Sequence, residues 1–201
     1  FQPELRKALE QIGASGFSSV TGLLQTKPSD DRLSPQDANE IVEACVKMAE
    51  VKTGALIVIE RNVSMGDIVS ASGVTVDAVI SSQLLINIFE DKTPLHDGAV
   101  IIRDNRVAAA SCILPVTQSE IGQELGTRHR AAVGASEVSD AFIIVVSEET
   151  GKISIARDGK LEKAVSEAVF RQELLNLCEK TTPAGAKAIN KIWKGMSRHD
   201  K

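Results

Sequence analysis

Uninterrupted apolar runs along the chain predict β-strands. Ala55–Ile59 and Phe142–Val146 are short and rich in β-branched side chains, which is typical of strands buried on both faces of a sheet. Residues 99–102 and 106–116 flank an Asp-Asn turn and predict a hairpin. A Thr-Gly turn beyond Phe142–Val146 leads into another predicted strand at residues 153–156.

Apolar residues at helical spacing predict helices around these strands. Residues 3–12 carry one apolar face, and the polar stretch 16–32 that follows is typical of a linker. Ser34 followed by Pro35 is a common helix start, with serine as the N-cap and proline at the first helical position. An apolar stripe follows this start, and we expect the helix to close at Gly54.

Three more helices are predicted at residues 81–89, 128–136 and 161–178, whereas residues 66–79 are weakly patterned and predict a loop with short strands. Strands therefore alternate with helices, but two hairpins interrupt the alternation. This order indicates an α/β fold with a mixed central β-sheet flanked by helices on both faces.

The same patterns divide the chain into three parts. We expect residues 1–33 to form an N-terminal helix and linker, residues 34–180 a single globular domain, and residues 181–201 a basic C-terminal tail. The tail is either a packed or frayed terminal helix or a segment that contacts an acidic partner or a membrane surface.

Composition narrows the class of protein. The 201 residues are 43% apolar and 25% charged, and the net charge of −4 argues against nucleic-acid binding. Three widely spaced cysteines without a CxxC pair predict reduced thiols rather than a disulfide framework or a zinc site. The sequence has no apolar run of about 18 residues and no signal peptide. Because it opens at Phe1 without a methionine, we expect a further segment upstream.

The first candidate for chemistry is the segment Pro-Leu-His-Asp-Gly-Ala, which lies between a predicted helix and a predicted strand. Asp97 can bind a metal ion or accept a proton from a hydroxyl group, and Gly98 lets the backbone approach a ligand closely. The alternative is an ordinary Asp-Gly turn with His96 as a structural histidine.

The second candidate is the start of the helix predicted at 128–136. Thr127 is a suitable N-cap, and Arg128, His129 and Arg130 follow in the first turn. Cations there face the positive end of the helix dipole, an unfavourable arrangement that indicates function. Backbone N–H groups and two guanidinium groups together predict a phosphate site. The alternative is a solvated basic turn.

The third candidate is the loop after the predicted strand Phe142–Val146. Ser147, Glu148 and Glu149 follow the end of a buried strand, where α/β sheets commonly carry ligand groups. A carboxylate here can hold a divalent cation that bridges phosphates, and a charged turn is the alternative. Because the sequence has no Walker loop, GxGxxG or GxSxG motif, phosphate binding must depend on the helix start at Thr127.

Together these motifs resemble the bacterial diadenylate cyclase family, whose signatures are an Asp-Gly-Ala motif and an Arg-His-Arg motif. In this chain the motifs stand at residues 97–99 and 128–130, with the predicted hairpin between them. The resemblance covers residues 54–156 well and, through residues 1–6, is nearest to the membrane-anchored type. One departure is Ile113, where relatives often carry an aromatic residue before the Leu-Pro of the adenine pocket.

The resemblance implies two catalytic residues. Asp97 would activate the ribose 3′-hydroxyl group, and Arg128 would hold the triphosphate. A divalent cation, Mn²⁺ or Mg²⁺, would be placed with the help of His96, Asp97 and Glu149. A larger set would contact the nucleotide: Gly98, Ala99, Leu114, Thr127, Arg128, His129, Arg130, Ser147 and Glu148.

The implied activity is that of a diadenylate cyclase, which condenses two ATP molecules into cyclic di-AMP and two pyrophosphates. Each 3′-hydroxyl would attack the α-phosphate of the other ATP, so the active form would be a homodimer with one ATP in each subunit. The chain would be the cytoplasmic domain of a protein anchored in the bacterial cell membrane by helices absent from this sequence, with a regulatory protein as a further partner. The alternative is a non-catalytic module that binds ATP or cyclic di-AMP, against which the intact Asp97 argues.

Overall fold

A seven-stranded sheet forms the centre of the protein. The computed structural model describes residues 33–118 and 125–179, and the strand order is β2-β4-β3-β1-β5-β6-β7. The helix predicted at 3–12, the linker after it and the basic tail lie outside the described residues. The elements in chain order are α1 (Pro35–Glu50), β1 (Ala55–Ile59), α2 (Gly66–Ser72), β2 (Val74–Val79), α3 (Ser82–Phe89), β3 (Ala99–Arg103), β4 (Arg106–Cys112), α4 (Thr127–Val138), β5 (Phe142–Val146), β6 (Ile153–Arg157), β7 (Lys160–Glu162) and α5 (Glu167–Glu179).

Strand β1 lies in the middle of the sheet. It pairs in parallel with β3, with Ile57 opposite Val100, and antiparallel with β5, with Ala55 opposite Val146. All residues of β1 and β5 are buried, because uninterrupted apolar runs suit strands that are covered on both faces. The other pairings in the described part of the sheet are antiparallel, which confirms the predicted mixed sheet.

Helices cover both faces of the sheet, as predicted. Alternate residues of a strand point to opposite faces, and the two buried clusters follow this alternation. One cluster joins Ile57 and Ile144 to side chains of α1, α3 and α5, and the other joins Val58 and Ile143 to α4 and α2. None of the helices within the described ranges is both long and apolar enough to cross a bilayer.

Helix α1 starts as predicted but ends early. The backbone N–H of Asp37 donates to Ser34 Oγ at 3.1 Å, and Pro35 occupies the first helical position. The helix closes before Gly54 because Lys52 takes a left-handed conformation with a φ of 58°. Glycine is the usual residue at such a helix end, so a lysine there gives no sequence signal.

Two predicted segments are wrong in part. Residues 66–79 contain the helix α2 as well as a strand, where the sequence predicts only a loop with short strands. The helix predicted over 161–178 starts later, as α5, because Lys160–Glu162 forms β7. Asp158 and Gly159 both have positive φ, 48° and 70°, and form the tight β6–β7 turn that an Asp-Gly pair favours.

The edge strand β2 is irregular. Its pairing with β4 shifts between Thr75 and Ala78, and Asp77 within this bulge has a φ of 47°. The Arg106 side chain closes the bulge, because its Nε lies 2.5 Å from an Asp77 carboxylate oxygen. Since most β2 side chains are exposed, this ion pair lies on the outer border of the sheet.

Helix α4 lies very close to the segment that follows β4. Strand β4 ends at Cys112, before the predicted residue 116, and the chain then passes over α4 at Gly134. A Cβ atom at Gly134 would lie 2.5 Å from the backbone nitrogen of Thr117. That nitrogen donates to the Arg130 carbonyl oxygen at 3.2 Å, so a hydrogen bond ties the segment to the helix.

We expect Gly134→Ala to destabilise the protein by about 1–3 kcal/mol, the usual cost of overpacking. Replacing glycine by alanine within a helix ordinarily stabilises a protein by about 0.5–1 kcal/mol, so the expected change in stability has the opposite sign. Urea unfolding of the variant checks this, with Gly66→Ala as the control, because the nearest atom to a Cβ at Gly66 is the Oγ of the Ser64 side chain at 3.3 Å rather than backbone. A Gly134→Ala protein as stable as the wild type would contradict the tight contact.

Candidate functional site

The three segments singled out in the sequence lie at one edge of the sheet. Strands β1 and β3 are parallel, so the residues that precede them, Gly54 and Gly98, lie at the same edge. Strand β5 is antiparallel to β1, so Ser147, which follows β5, lies there as well. Lys152 precedes β6 and extends the same edge by one more strand.

A cleft of about 230 Å³ opens at this edge, between the start of α4, the loop after β5 and the turn after β7. Its walls combine cations, carboxylates and hydroxyl groups, so the structure brings the second and third candidate segments together. The lining residues are Leu125, Gly126, Thr127, Arg128, His129, Val146, Ser147, Glu148, Glu149, Thr150, Lys152, Ser154, Lys163 and Ala164.

An ion pair within the cleft joins its two walls. Arg128 Nη1 donates to Glu148 Oε2, and the Arg128 side chain is only 21% exposed. The pair occupies the space beside Gly54, because a Cβ on Gly54 would lie 2.8 Å from Glu148 Oε2 and would overlap the guanidinium group. Gly54 therefore makes room for a cation beside the start of α4.

Helix α4 begins without a side-chain cap. Gly126 is the N-cap and Thr127 is the first helical residue, so the prediction of Thr127 as N-cap is wrong by one position. A glycine N-cap offers no side-chain oxygen, and the first N–H groups of the helix therefore keep their capacity to bind an anion. Thr127 instead lines the cleft.

His129 is half-buried in the lining of the cleft. Its Nε2 lies 3.5 Å from Ser154 Oγ. Burial lowers the pKa of His129, the positive charge of Lys163 lowers this pKa further, and the negative charge of Glu149 opposes both. The imidazole is therefore neutral at neutral pH, and Arg128 is the charged member of the first turn that lines the cleft.

The Asp97 segment lies at the same sheet edge but not in the cleft lining. The Asp97 carboxylate is 88% exposed, and His96 Nε2 lies 3.5 Å from it. The other ring nitrogen of His96, Nδ1, lies 2.6 Å from the Thr93 carbonyl oxygen and must donate a hydrogen to it. Nε2 is therefore the ring nitrogen that faces the Asp97 carboxylate.

The neighbouring strand fixes the backbone of Asp97. Ser111 Oγ donates to the Asp97 carbonyl oxygen at 2.8 Å, and Ser111 itself has a φ of 57°. Gly98 has a φ of 105°, and a Cβ there would lie 2.8 Å from the Cys112 carbonyl oxygen. Position 98 thus requires glycine because β4 approaches closely, and the Asp97 side chain projects from a fixed backbone.

The remaining predicted contacts lie outside the cleft lining. Ala99 and Leu114 are buried in the cluster beneath α4, and Leu114 is only 5% exposed. Ile113 beside it is 74% exposed, and Arg130 is exposed as well. The roles of Ala99, Leu114 and Arg130 in nucleotide binding stay predictions.

Four polar residues of the cleft are absent from the predicted site: Thr150, Lys152, Ser154 and Lys163. Ser154 carries a sequence signal, because it is a polar residue within an apolar strand and is buried. Lys163 is absent from the predicted site because the helix predicted over 161–178 includes it, and a lysine on a helix is expected on the solvated face. Lys152 and Thr150 resemble ordinary turn residues.

The predicted metal ligands fall in two places. His96 and Asp97 are neighbours, whereas Glu149 lines the cleft. Within residues 33–118 and 125–179, no three His, Cys, Asp or Glu side chains cluster closely enough to hold a metal ion by themselves. Carboxylate and phosphate oxygens together suit Mg²⁺ or Mn²⁺, and that one ion contacts both places stays a prediction.

A mixed sheet with a cationic cleft at a helix start is typical of a nucleotide-binding domain. Residues 42–161 match the family described as DisA bacterial checkpoint controller nucleotide-binding, or DAC. The matched stretch contains both the Asp-Gly-Ala and the Arg-His-Arg motifs, and the chain belongs to this family.

Curated relatives include two proteins of similar sequence. Cyclic di-AMP synthase CdaA of Bacillus subtilis is 48% identical over 175 residues, which cover 87% of this chain and 62% of that protein. A diadenylate cyclase of Listeria monocytogenes is 44% identical over 200 residues, which cover 97% of this chain and 69% of that protein. The chain thus spans less than two thirds of the Bacillus relative.

Solved structures support the fold. The crystal structure of a double mutant of DacA from Staphylococcus aureus has a TM-score of 0.69 and 45% identity, covering 71% of this chain and 95% of that one. A hypothetical membrane spanning protein from Bacillus cereus has a TM-score of 0.59 and 46% identity, covering 64% of this chain and 63% of that one.

We expect protonation of His129 to destabilise the folded protein. Because its folded pKa lies below the unfolded value of about 6.5, the unfolded chain takes up the proton first, and stability falls as pH drops below that value. The loss of melting temperature between about pH 7.5 and 5.5 should therefore be smaller in His129→Gln than in the wild type. An equal loss in the two proteins would contradict the lowered pKa.

Proposed function

We propose that the protein is a diadenylate cyclase, which condenses two ATP molecules into cyclic di-AMP and two pyrophosphates. The observation that carries the proposal is the shared sheet edge, where the exposed Asp97 precedes β3 and the Arg128 cleft begins at the adjacent strand β1. A carboxylate for proton transfer and a cationic cleft for phosphate thus lie at the ends of two neighbouring strands. The names of the Bacillus and Listeria relatives support the same activity.

In this proposal the cleft holds the triphosphate of one ATP. The first N–H groups of α4 and the Arg128 guanidinium bind phosphate oxygens through charge-assisted hydrogen bonds. Thr127 and Ser147 supply hydroxyl groups from the two walls. The nucleoside extends towards β3, where Asp97 meets the ribose. The other proposed nucleotide contacts are Gly98, Ala99, Leu114, His129, Arg130 and Glu148.

The proposed reaction is two in-line displacements. The oxygen of one 3′-hydroxyl forms a bond to the α-phosphorus of the other ATP, the bond from that phosphorus to the bridging oxygen breaks, and pyrophosphate leaves. Asp97 takes the proton of the hydroxyl group. The same exchange with the roles reversed closes the ring. Positioning and charge neutralisation supply most of the rate, because no bond to the protein forms.

A divalent cation, Mn²⁺ or Mg²⁺, would neutralise the charge of the triphosphate and of the departing pyrophosphate. We propose His96, Asp97 and Glu149 as its protein ligands. The hydrogen bond from His96 Nδ1 to Thr93 keeps Nε2 turned towards Asp97, as second partners of metal-binding histidines commonly do.

The active form in this proposal is a homodimer. Each cleft holds one ATP, so an attack between two nucleotides requires two clefts that face each other. The exposure of Asp97 supports this arrangement, because the side chain stands at the rim, where a nucleotide held by a second subunit can approach.

We also propose that the chain is the cytoplasmic part of a membrane-anchored protein that a regulatory protein partner contacts. The resemblance of residues 1–6 to the membrane-anchored type supports the anchor, and so does the description of the Bacillus cereus structure as a membrane spanning protein. Fractionation of cells that express the full-length protein tests the localisation.

Incubation with ATP and Mn²⁺, followed by mass spectrometry, tests the activity. We expect cyclic di-AMP from the wild type and a turnover lower by about 10²–10⁴-fold in Asp97→Asn, because the amide cannot accept the proton. The melting temperature should not change, since the side chain is exposed and the amide has the same shape. Asp104→Asn, in the β3–β4 turn, is the matched control. A wild-type protein that binds ATP but makes no cyclic di-AMP would contradict the proposal and support the alternative, a non-catalytic binding module.

A mixing experiment tests the homodimer. Asp97→Asn and Arg128→Ala chains form a mixed dimer with one intact Asp97 and one intact Arg128 on different subunits. In one displacement, the intact Asp97 takes the proton of the attacking hydroxyl group, and the intact Arg128 on the other subunit holds the ATP that is attacked. In the reverse displacement, both of these groups are missing. We expect the mixture to release linear diadenylate that keeps its triphosphate, and little cyclic product. Specific activity that is independent of enzyme concentration, with a monomer by sedimentation, would contradict the dimer.

A further inference from the structure

Two lysines line the cleft on the wall farthest from Asp97. Lys152 precedes β6, and Lys163 lies in the turn after β7. The backbone N–H of Val165 donates to the Ile153 carbonyl oxygen at 2.9 Å, which fastens this turn to the start of β6. Ala164 has a φ of 56°, so the chain bends sharply just after Lys163.

The cationic side chains of the cleft are not equally available to bind a phosphate. The Arg128 guanidinium is paired with Glu148. Among the described side chains, no carboxylate oxygen lies within ion-pair distance of either lysine. Lys163 also acts on the interior of the cleft, because its charge opposes protonation of His129. Lys163 can therefore bind a phosphate without first breaking an ion pair with a carboxylate.

The sheet sets the direction in which a nucleotide lies. Asp97 precedes β3, and the strands that follow along this edge are β1, β5 and β6. The distance from β3 to β6 is about 14 Å, or three strand spacings. The ribose must be near Asp97 if that residue takes its proton. The triphosphate then extends along the edge towards β6, and its last phosphates reach the turn that carries Lys163.

We infer that Lys163 binds the β- and γ-phosphates of the nucleotide and so selects a triphosphate over a monophosphate. The inference rests on the proposed function and adds a residue that neither signature motif contains. The terminal phosphates carry most of the negative charge of ATP, and they lie beside Glu148 and Glu149, so an additional cation is needed there. Lys163 lines the same cleft as the first turn of α4, where the phosphate is expected, and its positive charge acts on His129 there.

Calorimetry with unreactive nucleotides tests this. 3′-Deoxy-ATP and 3′-deoxy-AMP lack the attacking hydroxyl group, so binding is measured with Mg²⁺ and without turnover. We expect Lys163→Gln to weaken 3′-deoxy-ATP binding by about ten- to a hundredfold, the loss expected for one charge-assisted hydrogen bond. Binding of 3′-deoxy-AMP should not change, because it lacks the phosphates that Lys163 contacts.

Two further variants control the experiment. Lys163→Arg keeps the charge and should retain most of the preference for the triphosphate. Lys160→Gln removes a lysine from β7 that is not among the residues lining the cleft, and it should bind both nucleotides as the wild type does.

Equal binding of 3′-deoxy-ATP by Lys163→Gln and the wild type would overturn the inference. Equal loss of both nucleotides, with a lower melting temperature, would also overturn it, since Lys163 would then act through the fold. The two proposals fail separately. A wild type that prefers the triphosphate through Lys163 but makes no cyclic di-AMP from ATP contradicts only the cyclase. A wild type that makes cyclic di-AMP and does not depend on Lys163 contradicts only this inference.

Discussion

The parallel pairing of β1 with β3, next to the antiparallel pairing of β1 with β5, is the constraint on which the site depends. It brings the residues before two strands and the residues after a third to one edge of the sheet. The pairing is stable because β1 and β5 are apolar throughout and lose contact with water on both faces. The polar edge is therefore built on a rigid layer, which suits a site that must hold reacting groups in place.

Two glycines leave space at this edge for the groups of the candidate site. Gly54 leaves space for the Arg128–Glu148 ion pair, and Gly98 lets β4 approach the Asp97 backbone. Glu148 both orients the Arg128 guanidinium and competes with an incoming phosphate for it. In the proposed complex, a phosphate would bind Arg128 only as the guanidinium turns away from Glu148.

Much of the fold could be predicted because its signals are local. Three signals each indicate their structure within a few residues: the serine and proline at the start of α1, the apolar runs of β1 and β5, and the polar turn between β3 and β4. The predicted N-cap of α4 is wrong by one residue, since threonine and glycine are about equally good N-caps and the residue types do not decide between them. The position of Lys163 could not be predicted, because it depends on the short strand β7 and on a hydrogen bond to β6. The separation of Asp97 from the cleft depends on strand order, which no local pattern encodes.

The bulge at Asp77 has a consequence for association between copies. A regular exposed edge strand offers a row of N–H and C=O groups on which a second sheet can grow, which leads to aggregation. The left-handed Asp77 and its ion pair with Arg106 interrupt that row on β2, so two molecules cannot extend one continuous sheet through it. The bulge therefore disfavours growth of the sheet through β2 and leaves association between copies to other faces of the protein.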